Sequence, residues 1–274
     1  MEEDKAIARC SIRRYREQNW SPVDDRLVVE APLEVRVRHR SRGQWQTEVL
    51  TVTMRTPGHD VELALGFLFA EGLLGSVSEV ESVQLSDSNV LIVNLIETAV
   101  IETAAADRNY FASASCGICG KTSLENIHRV SCHFPQKGEP KISPTILRQL
   151  PDRLRAAQRW FEETGGIHAA GLFSTAGDLL AVFEDIGRHN AVDKVLGHRL
   201  QNRQLPLRRE ILVLSGRIGF ELVQKAAMSG LPIVAAVGAP SSLAVDLAMD
   251  HDMTLVGFLK KHQFNVYCGT ERIQ

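Results

Sequence analysis

The second half of the sequence alternates between short apolar runs and amphipathic segments, and this alternation constrains the fold more than any other feature. Apolar strand candidates occur at Ile211–Leu214, Ile233–Val237 and Leu255–Phe258. Helix candidates separate them at Ile218–Ser229 and Ser241–Asp250. Strands that alternate with helices favour βαβ units, and strands that are apolar on both faces favour a sheet covered on both sides. We therefore predict a largely parallel α/β sheet with helices on both faces.

The residues just before this half extend the same domain. Strand candidates at Ala169–Ser174 and Leu179–Phe183 flank a Thr-Ala-Gly-Asp turn, and Gly187–Leu200 is a helix candidate. One further helix is predicted from Ser143 to Thr164, because a Ser-Pro start precedes apolar residues at helical spacing. The α/β domain is thus expected over 144–274.

The first hundred residues indicate a smaller α+β unit. Leu27–Arg38 and Thr47–Met54 largely alternate between apolar and polar residues, which predicts a β-hairpin. Asp60 is positioned to cap a helix, and Val90–Ile96 is a further strand candidate. We expect this unit to form a domain over 24–110.

Composition and charge exclude several classes of protein. The 274 residues carry 31 Lys and Arg against 33 Asp and Glu, a net charge of −2, so no global field favours nucleic acid or an anionic membrane. The longest apolar run, around Leu231–Ala239, is about half the length of a membrane-spanning helix. No secretory apolar segment follows the N-terminal arginines, and five unevenly placed cysteines do not form a disulfide framework. We expect a cytoplasmic chain that makes no use of nucleic acid or membrane.

A connector over 111–143 carries the sharpest chemical motif. Cys116 and Cys119 are three positions apart, and a glycine follows each thiol. Such a pair can share a metal, form a disulfide or transfer sulfur. A capping-box pattern at Thr122 and Glu125 predicts a short helix whose N–H groups, together with Lys121, would lower a thiol pKa. We predict a functional, mobile segment.

Two other uses of the cysteine pair are open from the residues alone. A tetrahedral zinc site could form if the pair recruited His128, Cys132 or His133, although a second well-spaced pair is missing. A thioredoxin-like redox site is weaker still, because the pair does not lie at a strand-to-helix junction.

Several loops of the second half could bind anions. The strand-to-helix turns at Glu184–Asn190 and Leu214–Gly219 each offer a glycine and an arginine at a helix start, where phosphates bind. The loop Phe258–Gln263 combines an aromatic ring with two lysines. His168, at a strand start, could lie at the mouth of a site, although a lone histidine there is more often structural.

Motifs in the same order along most of the chain strongly resemble those of the formate dehydrogenase accessory sulfurtransferase family. They are Glu30-Ala-Pro-Leu33, Ala64-Leu-Gly-Phe67, Cys116-Gly-Ile-Cys119-Gly, Glu163-Thr-Gly-Gly-Ile-His168, Glu184-Asp-Ile-Gly-Arg-His-Asn-Ala-Val-Asp-Lys194, Ser215-Gly-Arg217 and Ala239-Pro-Ser-Ser-Leu-Ala-Val245.

The resemblance implies a sulfur carrier. A cysteine desulfurase would load a persulfide onto the protein, which would pass the sulfur to the bis-molybdopterin guanine dinucleotide cofactor of a formate dehydrogenase. The family implies a cytidine-deaminase-like three-layer sandwich over 144–274 and a homodimer. GDP or GTP would mimic part of the cofactor.

The resemblance also implies roles for individual residues. The persulfide cysteine corresponds to Cys116, and Cys119 receives a supporting or resolving role. Cofactor-binding positions correspond to Gly216, Arg217, Phe258, Leu259, Lys260, Lys261, His262 and Gln263. Here the chain departs from the family, which usually has arginine and glycines in the last loop, and lysine does not replace the bidentate geometry of arginine.

No catalytic metal is expected. The zinc signature of the deaminases requires His-x-Glu and Pro-Cys-x-x-Cys, and the predicted α/β domain does not contain it. The alternative function is a zinc-stabilised, non-catalytic chaperone that binds the molybdenum cofactor and its target enzyme.

Overall fold

The computed structural model describes residues 5–99 and 135–274. Cys116 and Cys119, and the zinc candidates His128, Cys132 and His133, lie outside the described residues. No helix within the described ranges is long and apolar enough to cross a membrane.

The described residues form twelve strands and seven α-helices. The strands are β1 (Ile7–Arg16), β2 (Asn19–Val28), β3 (Ala31–Ser41), β4 (Gln44–Arg55), β5 (Val80–Asp87), β6 (Val90–Leu95), β7 (His168–Ser174), β8 (Leu179–Asp185), β9 (Glu210–Leu214), β10 (Ile233–Ala236), β11 (Thr254–Gly257) and β12 (Asn265–Cys268). The helices are α1 (Asp60–Ala70), α2 (Pro144–Leu147), α3 (Leu150–Ala157), α4 (Arg159–Thr164), α5 (Arg188–Gln201), α6 (Phe220–Met228) and α7 (Ser242–Asp250).

The second half is built on a six-stranded sheet of order β12-β11-β10-β9-β7-β8. The predicted α/β fold is confirmed, but the sheet is mixed rather than largely parallel. Strands β9, β10 and β11 are parallel, whereas β7 runs antiparallel to both β8 and β9, and β12 antiparallel to β11. The reason is loop length: a tight turn at Gly177 (φ +86°) joins β7 to β8, and strands joined by so short a link can pair only in opposite directions.

Helices cover both faces of this sheet, which gives three layers. Alternate residues of each strand point to opposite faces, so Leu212 and Leu214 join the core that contains α5, α6 and α7. Ile211 and Val213 instead join a second core with α2 and α3.

The single helix predicted from Ser143 to Thr164 is wrong, since the segment forms three short helices. Ser143 does cap the first of them, because its side chain accepts a hydrogen bond from the Thr145 N–H. Pro151 lies in the first turn of α3, where it cannot donate a backbone hydrogen bond to a preceding turn. Gln158 has an extended backbone (ψ 90°) and separates α3 from α4.

The first half holds a four-stranded sheet of order β4-β3-β6-β5 and a separate hairpin of β1 and β2. The predicted hairpin of β3 and β4, the helix α1 and the strand β6 are confirmed. The N-cap of α1 is His59 rather than Asp60. The prediction missed β5 and the β1–β2 hairpin, whose residues are mostly exposed on both faces and so show little apolar alternation.

Helices α1 and α5 cross so closely that two glycines face the opposing backbone. A Cβ atom built on Gly66 would lie 1.8 Å from the carbonyl oxygen of Asp193. A Cβ atom built on Gly197 would lie 1.9 Å from the carbonyl oxygen of Glu62. One hydrophobic core, which includes Leu33 of β3 and Val195 of α5, therefore spans both halves. The domain boundaries at 110 and 143 stay predictions.

We predict that Gly66→Ala and Gly197→Ala each destabilise the protein strongly. Overpacking typically costs about 1–3 kcal/mol or more, which outweighs the gain in helix propensity of about 1 kcal/mol. Urea unfolding measures the change. The matched control is Gly166→Ala, because the nearest atoms that the structure describes would lie 3.9 Å from a Cβ at Gly166. Equal stability of all three variants would contradict this close helix crossing.

Candidate functional site

Three loops lie side by side at the carboxyl ends of β9, β10 and β11. The Gly238 N–H donates to the Gly216 carbonyl at 3.1 Å, and the Phe258 N–H donates to the Gly238 carbonyl at 3.0 Å. A Cβ on Gly238 would come within 3.0 Å of Arg217 Cα, so this close contact requires glycine. The structure thus brings together two loops that were predicted from the sequence, Leu214–Gly219 and Phe258–Gln263. It adds Gly238, which was not identified from the sequence. Ligands of open α/β sheets bind at such an edge.

The loop 258–263 presents one aromatic ring and two cations to solvent. Phe258 has a positive φ of 52° and is 39% exposed. Lys260, Lys261, His262 and Gln263 are also exposed, and the Lys260 N–H closes the turn onto the Gln263 carbonyl at 2.9 Å. Leu259 differs from the other predicted positions because its side chain is buried in the core. It anchors the loop and does not offer its side chain to a ligand.

A buried ion pair fixes the start of α5. Lys194 Nζ lies 2.7 Å from Asp185 Oδ2, and both side chains are fully buried. The Asp185 carboxylate also accepts hydrogen bonds from the Thr56 N–H (3.2 Å), the Gly187 N–H (2.8 Å) and the Asn190 side-chain amide (2.9 Å). The ion-pair partner of Asp185 is thus Lys194, further along α5, rather than Arg188 at the start of the same helix. Arg188 is thereby left free of this carboxylate.

The network continues into the first half of the chain. Lys194 Nζ donates to the Thr56 carbonyl at 3.2 Å, and the Asn190 amide donates to the Met54 carbonyl at 2.8 Å. The Thr56 hydroxyl in turn accepts the Ile186 N–H at 3.1 Å. The same residues therefore position the α5 start and hold it against the end of β4.

A cleft of about 270 Å³ lies beside this network, between the α1 start, the α3–α4 junction and β8. Glu184 lines it and accepts the N–H groups of Trp160 and Phe161 at 2.9 Å each. Burial raises the pKa of Glu184, against the opposing effect of these hydrogen bonds. The carboxylate is engaged in capping α4, so we assign Glu184 a structural role.

His168 lies between the α5 start and the loop after β9. It pairs with Asp185 across β7 and β8, and a Cβ on Gly216 would be 3.2 Å from its ring. Burial lowers the pKa of His168, and the nearby guanidinium groups of Arg188 and Arg217 lower it further. His168 is therefore mainly neutral at pH 7. From the sequence alone, a structural role was the more common expectation for a histidine at this position.

A second buried charge pair lies where α5 meets α6. Lys225 Nζ contacts Asp193 Oδ1 at 2.6 Å, and His189 Nε2 lies 3.2 Å from Glu221 Oε2. Burial raises the pKa of Asp193 to about 6, although Lys225 opposes the rise. Burial, together with nearby cations, lowers the pKa of His189 to about 3. His189 is accordingly neutral and adds no charge to the site at neutral pH.

The described residues contain two free thiols and no cluster suited to a metal. Cys10 is exposed and Cys268 is half-buried. Burial raises the pKa of the Cys268 thiol, which makes it a poor nucleophile. Within residues 5–99 and 135–274, no three His, Cys, Asp or Glu side chains are arranged so that they could hold a metal ion. The zinc hypothesis concerns residues outside these ranges.

Comparison with known proteins gives consistent relatives over nearly the whole chain. The sulfur carrier protein FdhD of Streptomyces coelicolor is 45% identical, covering 98% of this chain and 96% of its own. The protein of the same name from Sulfolobus acidocaldarius is 39% identical, over 97% and 98%. A crystal structure of a protein described as a formate dehydrogenase accessory protein, from Desulfotalea psychrophila, has a TM-score of 0.76 at 24% identity, covering 98% of this chain and all of that one.

The profile of the FdhD/NarQ family matches residues 28–274. The match includes the cysteine pair, the motif from Glu184 to Lys194 that forms the buried network, and all three loops at the carboxyl edge of the sheet. This chain belongs to the FdhD/NarQ family.

Proposed function

We propose that this protein is a sulfur carrier that serves a formate dehydrogenase. It takes persulfide sulfur from a cysteine desulfurase and transfers it to the bis-molybdopterin guanine dinucleotide cofactor, which is its substrate rather than a resident group. The observation that carries the proposal is the glycine-flanked pair Cys116 and Cys119 within a chain whose family relatives are named sulfur carrier proteins.

The first step is a thiolate exchange on sulfur. The Cys116 thiolate attacks the outer sulfur of the desulfurase persulfide, a new S–S bond forms on Cys116, and the desulfurase cysteine leaves as a thiolate. No net oxidation occurs. Cys268 and Cys10 do not match the family position, and the raised pKa of Cys268 disfavours it further as the acceptor.

Cys119 is suited to the release step. Its thiol can attack the inner sulfur of the Cys116 persulfide, which forms a Cys116–Cys119 disulfide and frees the outer sulfur as hydrosulfide. The two electrons that reduce the sulfane sulfur then come from the two cysteines. This gives Cys119 the resolving role.

The cofactor binds, in this proposal, at the carboxyl edge of the six-stranded sheet. The exposed ring of Phe258 offers a surface on which a guanine can stack, and Lys260, Lys261 and Arg217 offer cations to its phosphates. Gly216 has no side chain, so the backbone of its loop can approach the bound cofactor closely. Lysines in place of the family's arginine neutralise phosphate without bidentate hydrogen bonds.

The partners in this proposal are the cysteine desulfurase, the catalytic subunit of a formate dehydrogenase and a second copy of the chain. We place the exchange in the cytoplasm, where thiols stay reduced.

The second candidate is a zinc-stabilised chaperone that binds the cofactor and its target enzyme without carrying sulfur. It is favoured by the presence of His128, Cys132 and His133 close to the cysteine pair in sequence. Metal analysis of the purified protein separates the two functions. Stoichiometric zinc that is lost in Cys116→Ala would support the chaperone.

We predict that Cys116 carries the persulfide. After incubation with a cysteine desulfurase and cysteine, intact-mass analysis of the wild type should show a gain of about 32 Da per sulfur accepted. Cys116→Ala should lose this gain at that site, because no other thiol occupies its position. Cys10→Ala and Cys268→Ala are the controls and should load like the wild type. Undiminished loading of Cys116→Ala would refute the assignment.

We also predict that GDP binds at the loop 258–263. Loss of one charge-assisted contact typically costs about 1.5–3 kcal/mol, so Lys260→Ala and Arg217→Ala should each weaken GDP binding about tenfold or more in calorimetry. Phe258→Ala should weaken GDP and guanosine alike, because it removes the stacking surface.

The control for these variants is Arg208→Ala, since Arg208 is exposed just before the amino end of β9, at the opposite edge of the sheet. Its GDP affinity should be that of the wild type. If Lys260→Ala, Arg217→Ala and Phe258→Ala all bind GDP normally, the cofactor site lies elsewhere.

A further inference from the structure

Two arginines near His168 have no carboxylate partner among the residues that the structure describes. Neither Arg188 nor Arg217 forms an ion pair within the described part of the chain. The Nε of Arg188 is also buried without any hydrogen-bond acceptor among those residues. A buried guanidinium N–H that is left unpaired costs on the order of 1–3 kcal/mol, so an acceptor placed at this atom would be favourable.

Both guanidinium groups lie close to one imidazole. Arg188 begins α5 directly after Gly187, whose N–H donates to Asp185, the cross-strand partner of His168. Arg217 directly follows Gly216, on which a Cβ would lie 3.2 Å from the His168 ring. Both guanidinium groups accordingly lower the pKa of His168. Gly216 lies against the ring of His168, so the backbone of the loop after β9 comes close to the imidazole. Three cationic or potentially cationic groups from three elements thus converge.

The acidic groups nearby are already engaged. Asp185 on β8 is neutralised by Lys194 and accepts three further N–H groups. Glu221 on α6 lies against His189, and Lys225 on the same helix is paired with Asp193. Asp185 still raises the pKa of His168, but among the described residues the two guanidinium groups have no carboxylate of their own, so the charge around His168 is positive on balance.

We propose that Arg188, Arg217 and His168 form a pocket for a phosphate-type oxyanion. The two guanidinium groups supply charge-assisted hydrogen bonds, including one from the orphaned Nε of Arg188, and His168 takes up a proton when the anion binds. Neither Arg188 nor His168 belongs to the nucleotide-binding positions proposed above.

The ligand chemistry is a phosphate or diphosphate group, whether free or carried by a nucleotide. Its assignment to the diphosphate of the cofactor rests on the proposed function, whereas binding of the inorganic anion does not. The pocket would then hold the phosphate end while the loop 258–263 holds the base.

Anion binding at this pocket should be coupled to protonation. Without an anion, burial and the two arginines keep the pKa of His168 low. A bound anion within about 4–6 Å favours the imidazolium, so the pKa of His168 should rise by about 1 unit or more. Binding then takes up protons, and affinity should fall as the pH rises through the pKa of the complex.

The test titrates inorganic pyrophosphate into the full-length protein by calorimetry, with guanosine and GDP as separate arms. Pyrophosphate should bind the wild type, and Arg188→Gln and Arg217→Gln should each weaken it about ten- to a hundredfold. Arg188→Lys, which keeps the charge, should recover part of the loss.

NMR of the His168 ring should show its pKa rising on addition of pyrophosphate. In His168→Gln, the affinity for pyrophosphate should depend less on pH, and the remaining dependence should be that caused by protonation of pyrophosphate itself.

The matched control is Arg199→Gln. Arg199 is on the last turn of the same helix, and its buried Nε also has no acceptor among the described residues, but it lies beside Glu210 rather than a second arginine. Its pyrophosphate affinity should be unchanged.

Wild-type affinity in a folded Arg188→Gln variant, or a His168 pKa that pyrophosphate does not move, would overturn the pocket. Loss of guanosine binding or of sulfur loading, with pyrophosphate binding retained, would instead count against the proposed function alone.

Discussion

The buried ion pair between Asp185 and Lys194 is the interaction on which the site depends. Both charges are removed from water, and the pair is stable there because Asp185 accepts three further N–H groups. Removal of one partner of such a pair typically costs about 3–5 kcal/mol, because the other charge is left buried and unpaired. One of these donors is Thr56, just beyond β4, so the same charge joins the two halves of the chain. The ion pair also fixes the start of α5, and therefore the position of Arg188.

The close crossing of α1 and α5 explains why this network can exist. Gly66 and Gly197 let the two helix backbones touch, which brings the end of β4 near the α5 start. Burial of the apolar faces of both helices in one core keeps water away from the charges. The site at the carboxyl edge therefore rests on packing in both halves, although its loops come from the second half only.

Much of the fold could be predicted because its elements have apolar periodicity. The β3–β4 hairpin, α1 and the three parallel strands all have a clear buried pattern. The exposed β1–β2 hairpin has none, and the break between α3 and α4 depends on Pro151 and on the backbone of Gln158.

The loops at Gly216 and Phe258 could be placed together from sequence, because parallel strands end at the same edge. His168 could not. It begins β7, and a parallel β7 would put it at the opposite edge, whereas the antiparallel pairing of β7 with β8 and β9 brings it beside Asp185 and Gly216.

In the proposed function, sulfur passes through this protein from cysteine to the cofactor of a formate dehydrogenase. The most direct measurement follows radiolabelled sulfur from cysteine, through a desulfurase and the purified protein, into the cofactor of a sulfur-free formate dehydrogenase. With the wild type, we expect label to reach the cofactor and formate oxidation to appear, and with Cys116→Ser we expect both to be absent. Label and activity that appear equally with Cys116→Ser, or activation without label, would contradict a sulfur carrier and favour a chaperone.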